Sequence, residues 1–277
     1  MADCKRYKVA AIDLGTVSSR LVLAQVEAGA IVESSKHTEI TDLGEGVDAT
    51  GRFCEAAVER VLAACRMFVD EARAFGAACI CTTCTSAARD ASNAALLLDG
   101  LRDLGLEPQV IPGEVEARLT FFGVAHDFAG ERIIVADSGG GSTELATGVY
   151  APERGVFALE GTRSLDIGCR RVTERFFSAL PPADGELAAA AAWQVSSSPP
   201  ILKACPATLS APNAWSPWAA PSPRSWHSFT SWSRMIRALC TCASFRWTRF
   251  RPLSSACLCW MRTASPLCRV YSPNARA

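Results

Sequence analysis

Two short segments of this sequence combine carboxylates, glycines and hydroxyl side chains in a way that suits phosphate binding. The longer one reads DSGGGSTE and runs from Asp137 to Glu144, and the shorter one reads DLGTVS and runs from Asp13 to Ser18. Glycine turns let backbone N–H groups hold an oxyanion, because no Cβ stands in the way. The sequence therefore predicts two phosphate-holding turns, and the groups that we expect to hold phosphate are Ser18, Gly139, Gly140, Gly141, Ser142 and Thr143.

Each turn lies between an apolar strand and a returning strand, and helical patterns separate the two pairs. Apolar runs predict the strands, and apolar residues at helical spacing predict the helices. The predicted strands include Val9–Asp13, Arg20–Val26, Ala30–Ile40, Ala77–Thr82, Pro108–Ile111, Arg132–Ala136 and Val156–Leu159, and the predicted helices are Cys54–Arg73, Ala87–Leu104 and Glu114–Val124. This order implies an α/β protein with a mixed sheet and flanking helices. The repeated pattern of strand, Asp and glycine turn suggests two similar domains that meet at a cleft.

The composition changes sharply near residue 190. Residues 187–277 contain no acidic residue and no glycine, whereas residues 193–277 contain ten basic residues and all seven tryptophans. Soluble domains average about 25% charged residues and about 7% glycine. We therefore predict a first domain over 1–125, the start of a second, incomplete domain over 126–188, and an anomalous tail over 189–277 that is unstructured or comes from a shifted reading frame. A basic, aromatic arm for nucleic acid or membrane is the alternative, although no fold motif accompanies it.

Charge, hydropathy and cysteine spacing argue against several other classes of protein. The chain has 28 basic and 28 acidic residues and no net charge. It has no apolar run of about 20 residues that would span a membrane, and its N-terminus has no apolar segment of signal-peptide length. The 13 cysteines do not form the paired CxxC spacing of a structural zinc site. We therefore expect a protein of the reducing cytoplasm that neither spans a membrane nor takes nucleic acid as a partner.

Six ordered stretches, spanning about residues 10–178, carry a resemblance to a known family. They read AAIDLGTVSSRL, LGEGVDATGR, CTSAARDASN, IPGEVEARLTFFGV, DSGGGSTELATG and SLDIGCRRVTERFF. Through these motifs the chain resembles the exopolyphosphatase/guanosine pentaphosphate phosphohydrolase (Ppx/GppA) family of the actin, heat-shock chaperone and sugar-kinase superfamily. The resemblance implies an actin-like (ribonuclease H-like) ATPase-type fold. It also implies hydrolysis of a terminal phosphoryl group from polyphosphate or guanosine pentaphosphate, usually with Mg²⁺, and is compatible with a homodimer.

The resemblance also implies roles for five side chains. Glu116 matches the glutamate that positions or deprotonates the attacking water, a task that suits a carboxylate with a suitable pKa. Asp137 and Glu144 match carboxylates that order metal and water, and Asp13 is expected to act with them as a metal ligand, since Mg²⁺ prefers oxygen ligands. Arg89 matches an arginine that holds phosphate through its guanidinium. A surface ion pair is the alternative for Arg89.

The chain also departs from the family pattern. Val17 stands where the first turn usually has Asn, Ser138 replaces an apolar residue of the second turn, and the resemblance ends near Pro181. Glu114, the neighbouring carboxylate, is expected at the surface. Because the motifs of a complete second domain are missing, we expect the chain as written to be poorly soluble or inactive. An actin-like kinase or ATPase with the same two turns is the other alternative.

Overall fold

The computed structural model describes residues 6–197, except for the side chain of Val195. Residues 6–175 lie in one compact unit and residues 176–197 in another. The strands are β1 (Arg6–Leu14), β2 (Ser18–Glu27), β3 (Ala30–Ile40), β4 (Ile80–Cys84), β5 (Pro108–Val110), β6 (Arg132–Ser138), β7 (Thr143–Ala151) and β8 (Val156–Leu165). The helices are α1 (Val47–Thr50), α2 (Glu55–Phe75), α3 (Ser86–Asp90), α4 (Ala94–Asp103), α5 (Gly113–Ala125), α6 (Cys169–Phe176) and α7 (Asp184–Ser197).

The first sheet places β1 at its centre. Its strand order is β3-β2-β1-β4-β5, with β2 antiparallel to β1 and β4 parallel to it. From Val9 to Leu14 every residue of β1 is buried. Ile12 packs in the core that includes α2, whereas Val9 and Ala11 pack in the core that includes Leu119 of α5. The side chains of β1 alternate between two covered faces, which explains its continuous apolar run.

The second sheet is smaller and packs on the other side of α5. Its three strands run in the order β6-β7-β8, and both pairs are antiparallel. Phe121 of α5 is fully buried in a core with Val135 of β6 and Ala146 of β7. Leu119 belongs to the core of the first sheet, so α5 is apolar on two sides and lies between the sheets.

One predicted helix is wrong in its extent. The sequence predicted a single helix over Ala87–Leu104, but the chain forms α3 and α4 with a break between them. At the break, the side chain of Asn93 accepts a hydrogen bond from the N–H of Phe53 and donates one to its carbonyl oxygen. The N–H and the hydroxyl of Ser92 both donate to the carbonyl oxygen of Gly51. The N–H of Ser92 therefore binds a distant loop instead of a helical carbonyl, and the side chain of Asn93 fixes the break to the same loop.

The structure confirms the α/β class with a mixed sheet and flanking helices. In the second compact unit, Glu186 lies in the first turn of α7. Its carboxylate accepts hydrogen bonds from the N–H groups of Ser178 and Ala183, which precede the helix. The three predicted regions remain a prediction, and most of the tail predicted for 189–277 lies outside the described residues. Within 6–197, the helices are too short or too polar to cross a membrane.

Candidate active site

The first sheet contributes a row of polar side chains at the end of β1. Asp13 pairs across the sheet with Arg20 on β2 and with Thr83 on β4. The three side chains point to the face that α5 covers, because directly opposed residues share one face. Asp13 is buried, and the Thr83 hydroxyl lies 3.5 Å from its Oδ1. The predicted metal ligand Asp13 therefore lies at the end of the central strand.

The second sheet contributes a matching row. Asp137 on β6 lies opposite Glu144 on β7, and Glu144 lies opposite Ser164 on β8. Glu144 is only 3% exposed, and the Ser164 hydroxyl donates a 2.8 Å hydrogen bond to its Oε1. Both predicted carboxylates of the second turn therefore lie on the face that is turned towards α5.

Helix α5 presents a third polar side between its two apolar ones. Glu116 lies on the first turns of the helix, and Thr120 follows it by four residues on the same face. The Thr120 hydroxyl lies 3.4 Å from Oδ2 of Asp137. Glu114 is exposed, as the sequence predicted. The helix thus places Glu116 close to the polar rows of both sheets.

Arg89 connects these groups. Its Nη1 donates to Oε2 of Glu116 at 2.8 Å and to the carbonyl oxygen of Ile111 at 2.9 Å. Its Nη2 lies 3.4 Å from the Ser142 hydroxyl and 3.9 Å from Oε1 of Glu144. The guanidinium therefore lies inside the site, and the carboxylates that it pairs with are Glu116 and Glu144.

Burial and mutual repulsion shift the carboxyl groups towards their neutral forms. Burial, and then the charge of Glu116, raise the pKa of Asp13 well above its usual range. Burial raises the pKa of Glu116, although Arg89 partly offsets the effect. Burial and the charge of Glu116 raise the pKa of Glu144 to about 7. Shifts of this kind are typical of functional sites, because a folded protein gains nothing from crowding carboxylates.

The two glycine turns lie directly against each other. A Cβ on Gly140 would stand 2.6 Å from Cγ2 of Val17, and a Cβ on Gly141 would stand 2.5 Å from Oγ of Ser86 and 2.7 Å from Oγ1 of Thr16. At distances this short the side chains of Val17, Ser86 or Thr16 would have to shift before either glycine could carry a Cβ. The glycines therefore allow the turns to touch, in addition to exposing backbone N–H groups.

The protein groups of the second turn that are predicted to bind phosphate differ in the hydrogen bonds that they already form. The N–H of Gly139 donates to the carbonyl oxygen of Ser142 within the turn. The N–H groups of Gly140 and Gly141 donate to no acceptor among residues 6–197. The Thr143 hydroxyl donates to the carbonyl oxygen of Ile167 at 2.5 Å. Gly140 and Gly141 thus keep backbone donors without an acceptor among these residues, whereas Ser142 is buried and its hydroxyl already lies against Arg89 and Glu144.

The first turn offers less. Ser18 is buried at the start of β2, and its carbonyl oxygen accepts the N–H of Gly15. The hydroxyl of its neighbour Ser19 lies 2.8 Å from that of Thr41, inside the protein.

Sequence reasoning missed three polar residues of the site, for different reasons. Thr120 could have been found, because its spacing from Glu116 places both on one face of a helix. Arg20 and Ser164 could not, because their places beside Asp13 and Glu144 depend on strand register. No local pattern in the sequence sets that register.

The fold and the site define a class of protein. The two strand–Asp–glycine turns, the shared helix α5 and the buried carboxylates beside Arg89 define an α/β protein with one polar site built from two sheets. The sequence profile of the Ppx/GppA phosphatase family matches residues 22–239, which is well over half of the chain. The chain therefore belongs to the Ppx/GppA phosphatase family. The expectation that the resemblance ends near Pro181 is wrong, because the matched region continues to residue 239.

Relatives and solved structures agree with this assignment. Exopolyphosphatase 2 of Mycobacterium tuberculosis is 36% identical over 214 residues, which cover 73% of this chain and 65% of the relative. The crystal structure of an exopolyphosphatase-like protein superposes with a TM-score of 0.62 and 35% identity, covering 69% of this chain and 60% of that one. The Ppx/GppA protein of Aquifex aeolicus gives a TM-score of 0.55 and 32% identity, covering 67% and 59%. This chain thus spans less than two thirds of the length of these relatives.

Proposed function

We propose that this protein is a phosphohydrolase that releases the terminal phosphate of inorganic polyphosphate or guanosine pentaphosphate by the attack of water. The observation that carries the proposal is the position of Glu116, which bonds to Arg89 beside three further carboxylates at two touching glycine turns. Membership of a phosphatase family supports hydrolysis as the type of reaction. Both substrates end in the same phosphoanhydride, so one site would serve either.

The second glycine turn and Arg89 would bind the terminal phosphoryl group. The N–H groups of Gly140 and Gly141 and the Ser142 hydroxyl can donate to its oxygens, and Nη2 of Arg89 lies on the same side as Ser142. Ser18, Gly139 and Thr143 would complete the binding surface through the shape of the two turns. Fixed donors of this kind stabilise the charge that spreads over a phosphoryl group during transfer.

Glu116 would accept the proton of the attacking water. As the water oxygen bonds to the terminal phosphorus, the bond from phosphorus to the bridging oxygen breaks, and the leaving phosphate keeps the bonding electrons. A base works best when its pKa lies near the working pH. Burial raises the pKa of Glu116, and the bond from Arg89 limits that rise and fixes the direction of the carboxylate.

The donor set suits Mg²⁺, which we include in the proposal. Within residues 6–197, no group of three or more Asp, Glu, His or Cys side chains is arranged closely enough to coordinate a metal ion by itself. Mg²⁺ does not need such a cage, because it binds through one or two carboxylates together with substrate phosphates and water. Asp13, Asp137 and Glu144 would hold it, and a divalent cation would offset the burial and the repulsion that raise the pKa values of Asp13 and Glu144. When bound, Mg²⁺ would neutralise charge on the phosphate oxygens.

The test is phosphate release by the full chain. Wild type should release phosphate from polyphosphate when Mg²⁺ is present, and Glu116→Gln should lower kcat by about 10²- to 10⁴-fold. Glu114→Gln is the matched control, since Glu114 lies two residues away on the same helix and is exposed. Equal activity of the two variants would refute the role of Glu116. Competition between polyphosphate and guanosine pentaphosphate would rank the two substrates.

Two alternatives have distinct outcomes. If the chain is an inactive, truncated member with an incomplete second domain, wild type will release no phosphate at all. Resequencing the gene across codons 180–200 would then reveal a shifted frame in the region that precedes the tail. Nucleotide binding without turnover of polyphosphate would instead favour an actin-like kinase or ATPase. A cytoplasmic location and a homodimer complete the proposal and can be tested by fractionation and by light scattering.

A further inference from the structure

Two family motifs contribute α1 and α6, which have no part in the site described so far, and the structure brings these two helices together. The segment LGEGVDATGR contains α1, and the segment SLDIGCRRVTERFF contains α6. Arg171 of α6 forms a 2.6 Å ion pair with Asp48 of α1 and a 2.5 Å ion pair with Asp90 of α3. Arg175, one helical turn further along, also pairs with Asp48.

The start of α6 is bound directly to the second glycine turn. The N–H groups of Cys169 and Arg170 donate to the carbonyl oxygens of Gly139 and Gly140, respectively. A Cβ on Gly168 would stand 2.2 to 2.4 Å from backbone atoms of Gly140 and Gly141, so only glycine allows this contact. The turn and the helix that follows it therefore form one packed unit.

Arg171 joins this unit to the first half of the molecule. Its Nε donates to the carbonyl oxygen of Gly141 at 2.9 Å, while its two terminal nitrogens bind Asp48 and Asp90. Its side chain is only 13% exposed. A planar guanidinium can serve three partners in fixed directions at once, which a lysine ammonium on its flexible stem cannot do. A charge that is this buried is held firmly only if every partner is in place.

Two of the three partners, Gly141 and Asp90, stand next to residues that would hold phosphate. Gly141 precedes Ser142, and Asp90 follows Arg89 on α3. Arg89 and Ser142 are themselves in contact, with 3.4 Å between Nη2 and Oγ. We propose that Arg171 is a positioning residue that keeps the second glycine turn at a fixed distance from α3, so that the turn and Arg89 can hold the same phosphoryl group. This inference rests on the proposed function.

The test compares Arg171→Met, Arg171→Lys and the control Arg175→Met in the full chain. Amide hydrogen exchange of segments 138–144 and 86–90 reports whether the turn and α3 are held. We expect Arg171→Met to speed exchange several-fold in both segments, and Arg175→Met to leave it within about twofold, because Arg175 lies a turn further along α6. Arg171→Lys should resemble Arg171→Met, since one ammonium cannot replace the three-way contact. Full protection with Lys would overturn the proposal.

Steady-state kinetics with tripolyphosphate separate positioning from a merely structural role. Arg171→Met should raise KM by about tenfold, because a small misplacement of binding groups has large kinetic effects. An unchanged KM together with faster exchange would overturn the positioning role. Asp90→Asn should give the same pattern more weakly, and it serves if Arg171→Met does not fold. If wild type releases no phosphate, the proposed function fails, and the exchange data still decide whether Arg171 holds the turn.

Discussion

The two sheets of this protein repeat one local pattern but differ in how firmly they hold it. In each, an apolar strand ends in Asp, a glycine turn follows, and the next strand returns antiparallel. In the first sheet β1 has neighbours on both sides and is buried from Val9 to Leu14. In the second sheet, β6 pairs within residues 6–197 only with β7, and every second residue of β6 is exposed. The same type of glycine turn thus follows a largely buried strand in the first sheet and a partly exposed strand in the second sheet.

The difference follows from the elements that come after each set of strands. The 21-residue helix α2 covers the outer face of the first sheet, with Phe68 and Val61 fully buried beneath it. The eight-residue helix α6 follows β8 in the second half and is bound to the glycine turn by its N-terminal N–H groups. The first half therefore gains its rigidity from a core. In the second half, the glycine turn is fixed by hydrogen bonds and ion pairs.

The largest difference between the halves should appear when one isoleucine of each first strand is truncated. Ile12 on β1 is fully buried, whereas Ile134 on β6 is 38% exposed. Ile12→Ala should lower the free energy of unfolding by about 2 to 5 kcal/mol, because it removes core contacts and leaves a cavity. Ile134→Ala should cost about 1 kcal/mol or less. Urea unfolding of the two variants, compared at equal dependence of the free energy on urea concentration, measures both losses of stability. Equal losses would contradict the contrast between the two sheets.

Local chemistry was predictable, and long-range pairing was not. The turn at Asp137 and the helix that carries Glu116 could be inferred from short motifs, because glycines and helical spacing act over a few residues. The role expected for Arg89 came from the resemblance to a family and stays a prediction. The break before α4 depends on Asn93 binding a loop 40 residues away. The contact between Gly141 and Thr16 likewise joins residues that are far apart in sequence. Contacts between residues so far apart leave no repeating pattern in the amino-acid sequence from which they could be predicted.

The second-largest loss of stability should come from substituting Gly168, the glycine at which the second glycine turn packs against the start of α6. Gly168→Ala should lower the free energy of unfolding by about 1 to 3 kcal/mol, because its Cβ would meet backbone that cannot move aside. Gly161→Ala, on β8, is the control, since its Cβ would meet only an ordinary contact at 3.6 Å. Thermal melts of both variants measure the difference. If Gly168→Ala is as stable as the control, the packing of α6 on the turn is not what holds the second half.

The smallest effect should be a pH dependence that belongs to the first half alone. His37 on β3 has one ring nitrogen 2.8 Å from Glu39 and the other 2.6 Å from Glu71 of α2. Both nitrogens must carry a proton to bond two carboxylates, so the hydrogen bonds to Glu39 and Glu71 raise the pKa of His37. The resulting stability is fully present below the unfolded pKa of about 6.5. It is lost as the pH rises through the raised pKa of the folded state.

His37→Gln should therefore be less stable than wild type at about pH 5.5 and equal to it at about pH 9. The difference at low pH should stay below about 1 kcal/mol, because the His37 side chain is 34% exposed and solvent screens the pair. The control is Arg132→Gln, which breaks the ion pair with Glu160 between β6 and β8 in the second sheet. The effect of Arg132→Gln should be the same at both pH values, because this ion pair contains no histidine. A pH dependence that His37→Gln leaves unchanged would mean that β3 and α2 are held together without this histidine.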